Sequence, residues 1–383
     1  MTTRADRHRA QRERRRRVGA LVLAAVLLVA GAGIAAVALS GHRDSGAGNS
    51  STGDSNPGPS ATGTPTSGSA STSRGASTTV TASATTSPPT TTTLPPLDIE
   101  RRYSVGTESL TFVDPSRSTS ANGDFAGAAT RTFPTEIWYP ATGDPGGEAQ
   151  SGAEPDRAHG PYPLVLFAHG YAKTPTFYEP LLVRWAAAGY VVAAPTFPIL
   201  SGTPGGASHT DYDKTFGDAS FVLGKVLELG SPDVLAGMID PHRVAATGHS
   251  DGEVIAFGVG FLQCCRDSRV NSVIAMAGDL SNINNPIVSG NGVPILHIME
   301  TNDEFDPYDH TIAWDRENLT APRWMLTLVD AGHAPPYTQA DNPFFPMVSA
   351  ATIDFLDGTL KGHPERLDRM GSDVNADVAK LER

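Results

Sequence analysis

The chain has 383 residues, 39% hydrophobic and 18% charged, with a formal net charge of −12 and two cysteines. Eight Arg against Asp6 and Glu13 place +6 on residues 1–17, so the remainder carries about −18, which argues against electrostatic capture of nucleic acid. The cysteines are neighbours, Cys264-Cys265, which excludes a disulfide framework and a cysteine-rich metal site. The pair is either a vicinal disulfide or two half-buried thiols, since adjacent cysteines fit disulfide geometry poorly.

In chain order, residues 1–17 form a basic cytoplasmic tail and the uncharged run 18–39 a transmembrane signal anchor. At ~1.5 Å per residue that run spans the ~30 Å hydrocarbon core as a helix. Arg before it and few positive charges after it orient the N-terminus inward and everything downstream outward. The predicted location is thus the cell membrane, single-pass, with the folded part extracytoplasmic. A cleaved signal peptide ending near Ala36-Val37-Ala38 is the alternative and would make the protein secreted. Residues 40–97 are Ser, Thr, Gly, Ala and Pro with almost no large apolar side chain, a composition predicted to stay extended as a disordered stalk.

Residues 98–362 alternate strand-like and helix-like segments, which predicts an α/β catalytic domain with a mostly parallel central sheet and helices on both faces. Leading strands are expected at 110–113 and 133–139, and a buried strand in PLVLFAHG (163–170). A helix follows near 177–188, a strand at 190–195 and a long helix over 211–229. Val244–Thr247 is the next strand and Gly252–Gln263 the next helix. Strands at 270–277, 295–299 and 324–329 and a closing helix at 344–356 complete the pattern, leaving 363–383 as a C-terminal tail. The connections after Ala277 and after Pro195 are brief, so no large cap domain and an open, shallow site are expected.

VAATGHSDGE, residues 244–253, holds a serine between two glycines where a strand must turn into a helix. A serine in that turn is pushed out of the sheet, and the residues two before and two after it must be small to avoid collision across the turn. Gly248 and Gly252 satisfy that need, Ser250 becomes the candidate nucleophile, and the Asp251 N–H one half of an oxyanion hole. The second half is the N–H of Tyr171 in HGY, where Gly170 permits close approach and His169 orders the loop.

A serine hydroxyl needs a base and an orienting acid. His333, in VDAGHAPP after the last strand, is the candidate base, ahead of His363, His310 and His297; the last falls mid-strand as a core side chain. Asp303, in METNDEFDP, is the candidate acid, with Asp279 and Asp306 as alternatives.

With FAHGY, GHSDG, TNDEFDP and AGH placed, the chain resembles the α/β-hydrolase superfamily from Arg102 to about Leu360. The segment LVLFAHGYAKTPTFYEPLLVRWAAAGYVVAAP resembles the group of dienelactone-hydrolase-like proteins, chlorophyllases and platelet-activating-factor acetylhydrolases. HGY, GHS and NDEFDP together also resemble bacterial cutinases and polyester hydrolases. The resemblance implies a metal- and cofactor-independent serine esterase or lipase working through an acyl-enzyme, with lipid-like or polyester-like esters as substrates. Two departures stand out: Asp251 replaces the residue many relatives carry there and could raise the pKa of His333, and Glu253 is large and charged where many have a small residue. Alternatives are a serine peptidase or amidase, and a non-catalytic surface binding protein on a hydrolase scaffold. A calcium site built from Asp303, Glu304, Asp306 and Asp309 is a further option, without EF-hand spacing.

Overall fold

The computed structural model describes residues 96–383, apart from 283–286, 288–291 and 321. The basic tail, the apolar run 18–39 and nearly all of the predicted stalk lie outside the described residues. Among the described residues no helix is long and apolar enough to cross a membrane.

Ten strands form one sheet: β1 (Ser104–Asp114), β2 (Arg131–Ala141), β3 (Gln150–Ser151), β4 (Tyr162–Ala168), β5 (Val191–Pro195), β6 (Ile239–His249), β7 (Ser272–Met276), β8 (Ile295–Glu300), β9 (Arg323–Leu328) and β10 (Ala379–Glu382). Their order is β10-β9-β8-β7-β6-β4-β5-β2-β1-β3. From β5 to β9 all neighbours are parallel, and the antiparallel pairs β1–β2, β2–β5 and β9–β10 lie toward the two ends. The central strands are buried along their whole length, as a sheet covered on both faces requires.

The helices are α1 (Glu179–Ala187), α2 (Thr215–Leu227), α3 (Asp251–Phe261), α4 (Tyr308–Asn318), α5 (Pro335–Thr338), α6 (Phe345–Leu360) and α7 (Glu365–Asp373). Leu223, Val226, Phe257 and Phe261 of α2 and α3 belong to one apolar cluster with Leu164 and Leu166 of β4. Trp185 of α1 and Val348, Phe355 and Leu356 of α6 belong to a second with Val165 and Phe167 of the same strand. Alternate residues of β4 thus feed opposite layers, the period-2 signature of a strand between two helix sheaths.

The predicted elements are all present, with shifted ends: the helix expected over 211–229 is α2 preceded by a single 3-10 turn, Tyr212–Lys214. The segment 363–383 is a correction. It is not a loose tail but α7 and β10, and β10 extends the sheet by pairing with β9. Its apolar residues are sparse in sequence, yet Met370 and Ala379 are buried in the second cluster and Leu367 and Leu381 pack against it. Cys264 and Cys265, in the turn after α3, are bonded to each other.

Candidate active site

The chain passes from β4 to β5 on one side and then crosses to β6 on the other, so the strand order reverses between β4 and β6. In open α/β sheets ligands collect in the crevice at such a point, beyond the carboxyl ends of the strands. Ala168 ends β4 in register with Gly248 of β6, so the turns that follow, with Tyr171 in one and Ser250 in the other, emerge side by side.

Ser250 has φ 58° and ψ −127°, a conformation a non-glycine residue adopts only when its surroundings impose it. Its N–H donates to the Met276 carbonyl of β7 (2.9 Å), and its own carbonyl accepts from the Glu253 N–H (2.9 Å). The glycines behave as the turn requires. A Cβ on Gly248 would lie 1.9 Å from the Gly252 carbonyl oxygen, and one on Gly252 would lie 2.0 Å from that of Ala168. Gly248 therefore clears the turn itself, while Gly252 lets α3 pack onto the end of β4.

Ser250 and His333 line the same cavity of about 550 Å³, together with Tyr171, Phe177, Phe305 and Asp306. Tyr171, Phe177 and Phe305 are 40%, 38% and 65% exposed, which makes three of the exposed large hydrophobic side chains neighbours of the serine. The expected open site is thus a defined hollow with an aromatic rim. β8 and β9 are adjacent and parallel, and the loops after them carry Asp303 and His333. The Thr301 N–H donates to the Leu328 carbonyl (3.0 Å) and the Asn302 N–H to the Ala331 carbonyl (3.2 Å), tying the two loops together.

His333 Nδ1 stands 2.7 Å from Asp303 Oδ2 and 3.9 Å from Asp306 Oδ2. Asp303 also accepts the N–H groups of Phe305 (2.7 Å) and Asp306 (3.0 Å), which fixes its carboxylate. Burial draws the His333 pKa down, but the hydrogen bond and charge of Asp303, then Asp306 and Glu304, more than offset it, and the pKa stands above its ordinary value. Asp306 is pushed up to about 7 by burial and by the charge of Asp303. Asp279 has other partners: it accepts from the Ser281 N–H (2.9 Å) and stands 3.9 Å from His310 Nδ1.

The two sequence departures each have a partner of their own. The Asp251 carboxylate, expected to act on His333, instead bonds His209 Nε2 at 2.6 Å. Glu253 is fully buried, 3.0 Å from Nε2 of His297, whose Nδ1 bonds Asp315. His297 is therefore a core residue, as expected, but one paired with two acids. Burial opposes its charge, and the two carboxylates override that and hold its pKa well above the ordinary range. His363 bonds the Leu97 carbonyl (2.6 Å) and Glu365, away from Ser250's cavity.

His169 orders its loop as predicted: the Phe197 N–H donates to Nε2 (2.9 Å), so Nδ1–H donates to the Gly170 carbonyl (2.8 Å). His249, beside the serine, had no assigned part in the sequence pattern. Burial, then the charge of His333, pushes its pKa down to about 3, so it is neutral. Its Nε2–H donates to the His333 carbonyl (2.9 Å), and its Nδ1 accepts from the Tyr178 hydroxyl (3.0 Å), which in turn accepts the Gly170 N–H (3.1 Å). One proton-ordered chain thus joins the His333 loop, the serine turn and the loop after β4. The direction of every bond in it follows from the carbonyl at one end and the N–H at the other.

Asp303, Asp306 and His333 bring one ligand atom each within 4.8 Å of one another. Of the four acids considered for calcium, this gathers two carboxylates and an imidazole, and imidazole does not belong to the oxygen ligand set of calcium.

A family model for chlorophyllase matches residues 153–278, less than half of the chain but including Tyr171, Ser250 and Asp251. Among solved structures the chain is similar to a ferulic acid esterase from Streptomyces cinnamoneus, with a TM-score of 0.55 at 21% identity, covering 76% of this chain and 98% of that chain. The chain has the α/β-hydrolase fold. No curated protein matches this chain. The family match supports a hydrolase of the esterase type.

Proposed function

We propose that this α/β-hydrolase is a serine carboxylic-ester hydrolase that works through an acyl-enzyme, with Ser250 as nucleophile, His333 as base and Asp303 as orienting acid. The observation that carries the reading is a serine at positive φ opening onto the same cavity as a histidine whose Nδ1 is engaged by a carboxylate. In the first half-reaction Ser250 Oγ attacks the ester carbonyl while its proton passes to His333 Nε2. Asp303 holds the imidazole in the tautomer with hydrogen on Nδ1 and stabilises the imidazolium that forms. The carbonyl oxygen, now an anion, receives the N–H groups of Tyr171 and Asp251. Asp251 is the first residue of α3, where the helix's opening N–H groups have no acceptor within the helix and the helix dipole favours negative charge. Collapse of the intermediate expels the alcohol, protonated by His333. Water then attacks the acyl-enzyme by the same steps in reverse and releases the acid.

The aromatic rim of Tyr171, Phe177 and Phe305 favours esters with an extended apolar surface, whether lipid-like or polyester-like. The protein is tethered to the cell membrane by residues 18–39, with residues 40–97 as a stalk and the catalytic domain outside, a reading that rests on composition alone. Membrane fractionation tests the tether: recovery in a wash-resistant membrane fraction supports it, and recovery only in the soluble fraction opposes it.

The activity is tested by turnover of p-nitrophenyl esters of increasing acyl length by the wild-type protein and Ser250→Ala. Wild-type turnover that falls at least about 10⁴-fold in the variant supports the reading. A folded wild-type protein that turns over no ester overturns it.

A further inference from the structure

The loop between β5 and α2 was expected to be brief, and it reaches back to the serine turn. His209, in this loop, donates its Nε2–H to the Asp251 carboxylate (2.6 Å), and its ring stacks on Tyr171 with centroids 4.7 Å apart and planes 21° apart. The residues on its two sides are the ones whose N–H groups serve as oxyanion donors in the proposed mechanism. The loop makes two further contacts with the same pair. The Tyr212 hydroxyl donates to the Asp251 carbonyl (2.7 Å), and the Tyr171 hydroxyl donates to the Ala207 carbonyl (2.8 Å). Asp251 is thus gripped at both its side chain and its carbonyl, and Tyr171 at both its ring face and its hydroxyl.

The loop is itself anchored. Asp211, two residues beyond His209, is buried against the equally buried Arg131 (2.6 Å) and accepts from the Ser120 N–H (3.0 Å). On the other side, Asn122 Nδ2 donates to the carbonyls of Pro204 (3.0 Å) and Gly206 (2.7 Å). Gly205 packs so tightly on Asn122 that a Cβ there would lie 1.9 Å from the Asn122 carbonyl oxygen. A strap fixed at both ends transmits that rigidity to whatever its middle holds.

We propose that His209 is a positioning residue for the ester-hydrolase reaction, clamping Asp251 and Tyr171 into one unit so that their two N–H groups meet the developing oxyanion in fixed geometry. The inference rests on the proposed function and gives the unusual Asp251 a role. Preorganised donors stabilise the transition state because they need no reorientation as charge develops, and loss of one whole donor costs about 10²- to 10³-fold in rate. Loosening both without removing either costs less, about tenfold in kcat.

The test uses the full-length chain and p-nitrophenyl butyrate, with His209→Ala, His209→Gln, Asp251→Ala and the His209→Ala/Asp251→Ala pair. The His209 side chain is 56% exposed, so its replacement leaves the core untouched. His209→Ala is expected to lower kcat about tenfold with KM within about twofold of wild type. His209→Gln, which keeps a donor for Asp251, is expected to recover most of that loss. In the Asp251→Ala background the histidine substitution is expected to cost less than about twofold, because the clamp is already open. Unchanged kcat in His209→Ala, a loss confined to KM, or a full tenfold loss in the Asp251→Ala background would each overturn the proposal while leaving the ester-hydrolase reading intact. A folded wild-type protein without turnover instead removes that reading, and the clamp with it.

Discussion

Among the described residues, two imidazoles each face two carboxylates, and they do so in opposite settings. His297 is enclosed with Glu253 and Asp315, all three almost completely inaccessible, and both of its ring nitrogens face an acid. His333 faces Asp303 and Asp306 through Nδ1 alone and borders the cavity that holds Ser250. Both have raised pKa values, so charge pairing does not distinguish a structural histidine from a base. What distinguishes them is that His333 lines the cavity that also holds Ser250, the proposed nucleophile.

The largest effect is expected from disarming His333, the proposed base, without moving it. Asp303→Asn is expected to lower kcat about 10⁴-fold, since the amide favours the unproductive tautomer. Asp279→Asn, at the alternative acid position, is expected to stay within about threefold of wild type. Equal losses in the two variants would show that the orienting role is not confined to Asp303.

That choice between Asp303 and Asp279 marks how far the sequence could be read. Both acids follow strand ends, and only the pairing of β8 with β9, set by strands far apart in the chain, brings the first to His333. The serine turn was legible because its constraint is local: Gly248, Ser250 and Gly252 must fit within one turn. The Asp251–His209 contact was not, because its partners lie 42 residues apart and meet through a loop whose anchors, Arg131 and Asn122, come from the opening of the domain. β10 was not legible, being four residues long with a single buried side chain, whereas α7 carries a readable signal: Leu367, Met370 and Val374 recur at i, i+3 and i+7 among charged residues, the spacing of an amphipathic helix.

The sealed site is probed through stability. His297→Gln removes the cation from between two buried carboxylates and is expected to cost about 3 kcal/mol in a urea unfolding midpoint series, with the serine of the folded fraction still labelled by a fluorophosphonate. Loss of labelling at unchanged stability would place His297 in the chemistry and erase the contrast.

The smallest expected effect is on pH dependence. As the proposed base, His333 works only when neutral, and the carboxylates near it favour its protonated form, so the acidic limb of kcat/KM should lie above the ordinary histidine value. Asp306, itself pushed up to about 7, titrates with His333 as a pair, and the limb belongs to both. Asp306→Asn removes one of the raising charges and is expected to move the limb to lower pH by less than about one unit. A limb that stays in place would mean that Asp303 alone sets the base.

The central claim, that Ser250 is the nucleophile His333 activates, is tested most directly by treating the full-length protein with a fluorophosphonate and mapping the adduct by peptide mass spectrometry. The account predicts a single adduct on Ser250, formed much more slowly in Asp303→Asn. Ester turnover with the adduct on any other residue, or with none at all, would contradict it.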